Sequence, residues 1–361
     1  MGMVIKYIAA ILLLILLAAC TTPTQQETKT ILIGATLPLS GDQASLGEGA
    51  QNALNLVLAK RNNTKYNYKL IVEDDQFDAT TASTTATKLI ETDNVDAIVS
   101  LGSGIGNVVS PLAQNAKVIH FGIASDQNVA QGEYNFIHYT LPGEEARVWI
   151  EEAKKRRYNN IAAIVQQHAG VKAFMDDFKE RLRSTTMTLV SEQEFQKGET
   201  NFNTMILKAK KSNPDVYFIA AFSPELELLY KQMKAQNIEE PISTSGTYET
   251  SEQMEMFEGE WYETAAIATD SFTNAYKEAY DKEPSFGAPN IYDSLDLIIE
   301  AFERTAAGKD KKPTAGQVIA HLHQIEDFDG ALGTLSVSKT GQVRSNAIIR
   351  EIKNGKSVTI G

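Results

Sequence analysis

Cysteine is all but missing from this 361-residue chain. The one thiol, Cys20, leaves nothing for an internal disulfide or a thiolate metal centre. Histidine is scarce as well. His321 and His323 stand two apart, do not share a helical face, and have no evident third ligand, so no metal set assembles. No G-x-G-x-x-G loop is present, and no nucleophile elbow or Ser/His/Asp or Cys/His order is visible, which argues against a dinucleotide enzyme or a hydrolase and calls for no cofactor. Positive charge is in deficit, with 34 Lys and Arg against 46 Asp and Glu. With no basic stripe carrying interleaved aromatics, nucleic acid is excluded as a partner. Long apolar runs are missing too. The 12 residues 8–19 are too short to span a bilayer, and they have the length of a secretory signal core.

What is present is globular: 43% hydrophobic and 22% charged residues, in a length that suits two domains. Short apolar runs alternate with helical patterns, the signature of a parallel α/β sheet. Residues 31–37 (ILIGATL) read as a central strand, followed by a helix with Leu46, Ala50, Ala53, Leu54 and Val57 on one face. Residues 78–92 are rich in Ser and Thr, yet Ala82, Ala86, Leu89 and Ile90 share a helical face and Asp78 is placed to cap it. Asp74 and Asp75, adjacent on a strand, point to opposite faces and read as strand-end caps rather than paired catalytic acids. The KKRR run at 154–157 reads as a solvated helix end.

The stretch 96–126 is the centre of the chemistry. A buried strand there runs into Leu101-Gly102-Ser103-Gly104-Ile105-Gly106, then a helix, then a second buried strand ending at Gly122-Ile123-Ala124-Ser125-Asp126. Ligands of such sheets sit where strand ends meet helix N-termini. Bare loop amides and the positive helix end suit a carboxylate. The acid of Asp126, at the neighbouring strand end, suits an ammonium. Together they predict a zwitterion site.

The β-α pattern runs twice, then long helices and a strand-rich tail follow. The predicted organisation is a signal peptide (1–19), a tether (20–30), a first lobe (31–141 with 270–327) and a second lobe (142–269 with 328–361). Hinge crossings are expected near 139–142, 269–271 and 327–330.

Two resemblances follow. Leu17-Ala18-Ala19-Cys20 resembles the lipobox of bacterial lipoproteins, which implies cleavage before Cys20, a lipid on its thiol and attachment to the outer side of a membrane. The stretches 33–49 (IGATLPLSGDQASLGEG), 73–87 (EDDQFDATTASTTAT), 195–230 and 328–341 (FDGALGTLSVSKTG), in that order, resemble the type I periplasmic solute-binding proteins of the leucine/isoleucine/valine family. This resemblance implies two doubly wound α/β lobes on a three-segment hinge. The lobes would close on an amino acid or similar small polar ligand and present it to an ABC permease; the other reading is a sensor that signals to a membrane receptor, and an α/β enzyme ranks behind both. It implies that Ser103 and the adjacent Gly102 amide hold the ligand carboxylate, and that the Ala124 carbonyl and Asp126 hold the ammonium. Leu46 stands where the family has a ring, and Phe222 keeps an aromatic in the second lobe. Tyr248 lies where the family has an acidic ammonium partner. His168, at a strand end before Ala169-Gly170, is a further cleft candidate.

Overall fold

The computed structural model describes residues 29–305, 312–343 and 346–360. Cys20 and the apolar leader lie outside the described residues. Strand β1 (Thr30–Leu37) is buried over most of its length, as its unbroken apolar run requires of a strand covered on both faces. It pairs in parallel with β2 (Asn67–Asp74), setting Ile33 beside Leu70, and with β3 (Ala97–Leu101), setting Ile33 beside Ala97. Beyond β3 come β4 (Ile119–Ile123), β5 (Asn135–His138) and the late strand β13 (Gln342–Val343), all parallel. The sheet order β13-β5-β4-β3-β1-β2 reverses between β1 and β3, and that reversal opens a crevice at the strand ends.

Helices cover both faces of this sheet. Helices α1 (Ala44–Lys60), α8 (Asp270–Tyr280) and α9 (Ala288–Arg304) pack on one face. On the other lie α2 (Ala79–Thr87), capped by Asp78 through the Thr81 amide at 2.8 Å, and α3 (Ser103–Ala116). The second lobe repeats the plan with a parallel sheet of β6 (Asn160–Gln166), β7 (Thr188–Phe195), β8 (Val216–Ala220) and β9 (Ile242–Ser243), in the order β7-β6-β8-β9. Helices α4 (Pro142–Lys155) and α5 (Ala169–Leu182) pack on one face, where Trp149 meets Phe178 and Phe218 edge-on and its Nε1 donates to Ser243 Oγ at 2.9 Å. Helix α6 (Asn203–Lys211) and helix α7 (Glu225–Ala235) cover the other. Burying a side chain as large as Trp149 contributes roughly 3 kcal/mol.

Strand β10 (Trp261–Ala265) runs antiparallel to β14 (Ala347–Lys353), which pairs with β15 (Lys356–Thr359), and the Ser245–Glu263 bridge ties this unit to the second lobe. The first two crossings fall after β5 and after β10. The third corrects the expectation for 328–361. The hairpin β11 (Phe328–Gly330) with β12 (Gly333–Leu335) belongs to the first lobe, with Leu335, Val337 and Val343 in its core. The buried carboxylate of Asp293 on α9 holds this segment by accepting from the Ala331 and Leu332 amides. The chain therefore crosses for the last time between β13 and β14.

Candidate functional site

The crevice at the ends of β1, β3 and β4 faces the second lobe, and the two lobes meet across it. Phe77 of the first lobe stacks on His168 of the second at 5.9 Å and meets Phe222 edge-on at 5.7 Å. Gln43 Nε2 donates to the Ser223 carbonyl at 2.8 Å. This is a closed arrangement. The cavity left between the lobes measures about 80 Å³.

One end of the cleft is built from two helix N-termini. Helix α3 begins at Ser103 after Gly102, whose φ of +101° is open to glycine and strained for other residues. Helix α5 begins at Ala169 after His168. Their first-turn amides have no intrahelical acceptor, and both dipoles present their positive ends. Ser103 Oγ accepts from the Ser125 and Asp126 amides at 3.2 Å each, so both its lone pairs are engaged and its proton is the group left to donate, with Ser125 Oγ 3.4 Å away as a neighbouring acceptor. His168 Nδ1 accepts from the Gly170 amide at 3.2 Å, which leaves the proton on Nε2. Burial lowers this imidazole to about 4, so at neutral pH it is an uncharged donor. Gly170 permits a close approach here, since a Cβ would sit 2.9 Å from Ser125 Oγ and 3.1 Å from Ser103 Oγ and would push those hydroxyls aside. No lysine or arginine lines the cleft among the described residues. An anion at this end is therefore held by amides, hydroxyls and helix dipoles alone.

The rest of the wall is mainly apolar, with Tyr139, Ser245, Thr247 and one acid, Glu145, as its polar members. Leu46, Phe77, Phe174, Phe222 and Phe286 are among its apolar members. Glu145, one turn before Trp149 on α4, is 3% exposed and accepts from the Tyr139 hydroxyl. Burial pushes its carboxyl up to about 8, opposed by the Tyr139 hydrogen bond.

The structure brings Leu46, Gly102, Ser103, Ala124, His168 and Phe222 into this one cleft. It does not bring in Asp126 or Tyr248. The Asp126 carboxylate accepts from the Asn128 amide at 3.0 Å and from Asn107 Nδ2 at 2.8 Å, capping the 3-10 turn Gln127–Ala130. Its neighbour Ser125 faces the cleft instead. Tyr248 is wholly buried in the second-lobe core, stacked on Phe257 at 4.3 Å with its hydroxyl donating to the Ile242 carbonyl at 2.7 Å; Thr247 takes the place at the wall. The pairing expected from Ser103 and Asp126 is thus corrected: Ser103 lines the cleft, and the Asp126 carboxylate is turned away from it into a local cap. Sequence reasoning missed Phe77, Tyr139, Glu145 and Phe174. For Glu145 a signal exists, because it falls on the helical face of Trp149 and Ala153, an acid on an apolar stripe.

The family model described as "Periplasmic binding protein" matches residues 30–357. A Leu/Ile/Val-binding protein homolog of Brucella melitensis is 23% identical over 334 residues, covering 87% of this chain and 89% of that protein. Among solved structures, a leucine binding protein from Thermotoga maritima superposes with a TM-score of 0.84 at 19% identity, over 92% of this chain and 98% of that one. A solute binding protein of an ABC transporter from Rhodopseudomonas palustris, in complex with benzoate, gives a TM-score of 0.82 at 18% identity, over 92% and 96%. These relatives are solute-binding proteins, not enzymes, and they share the type I two-lobed α/β fold. The chain belongs to the periplasmic binding protein family.

Proposed function

We propose that this protein captures a small carboxylate with an apolar body, an amino acid or an aromatic acid, and delivers it to an ABC importer. The observation that supports this reading is one cleft between two lobes, with Ser103 and two helix N-termini at one end and rings from both lobes along the walls. In this reading the ligand carboxylate accepts from the Ser103 hydroxyl and the α3 amides after Gly102, with His168 Nε2 as a further donor. The Ala124 carbonyl, Leu46 and Phe222 contact the rest of the molecule. A ligand touching both lobes binds the closed state better than the open one and so shifts the population toward closure. Lipid attachment at Cys20 would keep the protein on the outer membrane-facing side, within reach of the permease.

The test is calorimetry on ligand-stripped protein with L-leucine, L-isoleucine and benzoate. We expect at least one to bind, and Ser103→Ala to weaken it at least tenfold. Failure of all three to bind, or equal affinity in the variant, would refute the reading.

A further inference from the structure

Four acids converge beside the cleft, and two of them are matched by an arginine. Glu249 accepts from Arg350 Nη1 at 2.9 Å and from the Tyr262 hydroxyl at 2.8 Å. Glu144, on the same helix as Glu145, is held by Arg147 at 2.6 Å. Glu145 has the Tyr139 hydroxyl and no cation. Glu263 is 0% exposed, and neither of its carboxylate oxygens has a hydrogen-bond partner among the described residues. Their adjacency follows from the packing of α4 on β10. Trp149 and Trp261 are in contact at 5.3 Å; Glu145 lies one turn before the first, and Glu263 lies two residues after the second, on the same strand face. Glu145 lines the cleft and Glu263 stands behind it. A carboxyl buried without a partner is costly, and the cost is relieved by a proton or by a cation.

We propose that the Glu145 wall, backed by Glu263, is a cation subsite that receives the charged amine of a ligand whose carboxylate is seated at Ser103. It rests on the reading of Ser103 as the carboxylate end. The substrate class is then an amino acid whose amine reaches the acid wall from that anchor, rather than one held at Asp126. In the empty cleft a proton occupies the pair. When the ammonium arrives, the carboxyl ionises, its proton passes to solvent, and an ion pair forms out of reach of bulk water.

The test compares 3-aminopropanoate, 4-aminobutanoate and 5-aminopentanoate with butanoate, pentanoate and hexanoate, in which a methyl replaces each ammonium. Calorimetry on the full chain is run in two buffers of different ionisation enthalpy. At one chain length or more, we expect the amine to bind at least tenfold tighter than its partner and to release a proton to the buffer. In Glu145→Gln and Glu263→Gln, checked for folding by thermal melts, that preference should fall to within twofold in the first and shrink in the second. Alkanoates that bind as tightly at every length, or a preference that survives in both variants, overturn the subsite and leave the Ser103 reading intact. Failure of every compound to bind overturns the subsite, and the Ser103 reading falls with it only where L-leucine, L-isoleucine and benzoate also fail to bind.

Discussion

Glu145→Gln should stabilise the ligand-free protein at pH 8 and leave it almost unchanged at pH 5. Burial pushes this carboxyl up to about 8, against 4.5 for a free glutamate. Between those values the folded chain holds a proton that the unfolded chain has released. Its contribution is therefore complete below the lower value and is lost as pH rises through the higher one. At 1.36 kcal/mol for each unit, the loss by pH 8 is on the order of 3–5 kcal/mol. Glutamine keeps the Tyr139 hydroxyl as a donor and has no proton to give up, so the decline attached to this position disappears. Urea titrations followed by circular dichroism, on both proteins from pH 5 to 8.5, give the difference directly. The variant should gain steadily on the wild type with rising pH. A difference that stays flat across the window, or one that shrinks with pH, would refute the reasoning.

Asp126→Ala removes a turn cap and should cost about 1 kcal/mol of stability, while affinity for whichever of L-leucine, L-isoleucine or benzoate binds stays within twofold. A tenfold loss by calorimetry would put its carboxylate on the ligand after all. Gly170→Val places a branched side chain against Ser103 and Ser125, where even a Cβ would come within 2.9 Å of an oxygen. Scattering at saturating ligand should give a larger radius of gyration than the wild type, and affinity should fall at least tenfold. An unchanged radius would mean the lobes can close around the added bulk.

Much of the fold is legible in the sequence because the strands of a covered parallel sheet are unbroken apolar runs, as in ILIGATL. The Asp78 cap and the strand-end roles of Asp74 and Asp75 were readable for a similar reason: each acid lies within a few residues of the amides it serves. Asp74 accepts from the Gln76 amide at 3.0 Å, and Asp75 from the Phe77 amide at 2.8 Å. Strands β5 and β10 were not legible, because NFIH and WYETA mix polar and apolar residues without a clear period. At the site, a one-residue phase decided the outcome. Ser125 and Asp126 share a loop, and only the 3-10 turn that follows determines which side chain enters the cleft. Thr247 and Tyr248 differ in the same way. Glu145 was hidden by its own helix, whose many acids and bases made it look like one more solvated charge.

The order in which the polypeptide weaves between the lobes has a consequence for biogenesis. The first lobe's core is finished by α9 and by β13, made after the whole parallel sheet of the second lobe, and the second is finished by β14 and β15 at the far end of the chain. Neither half exists as a contiguous fragment. A ribosome or export channel that has released only the first three hundred residues has delivered two unfinished cores, so holding the nascent protein unfolded until export is complete is compatible with this architecture, whereas expressing either half alone is not.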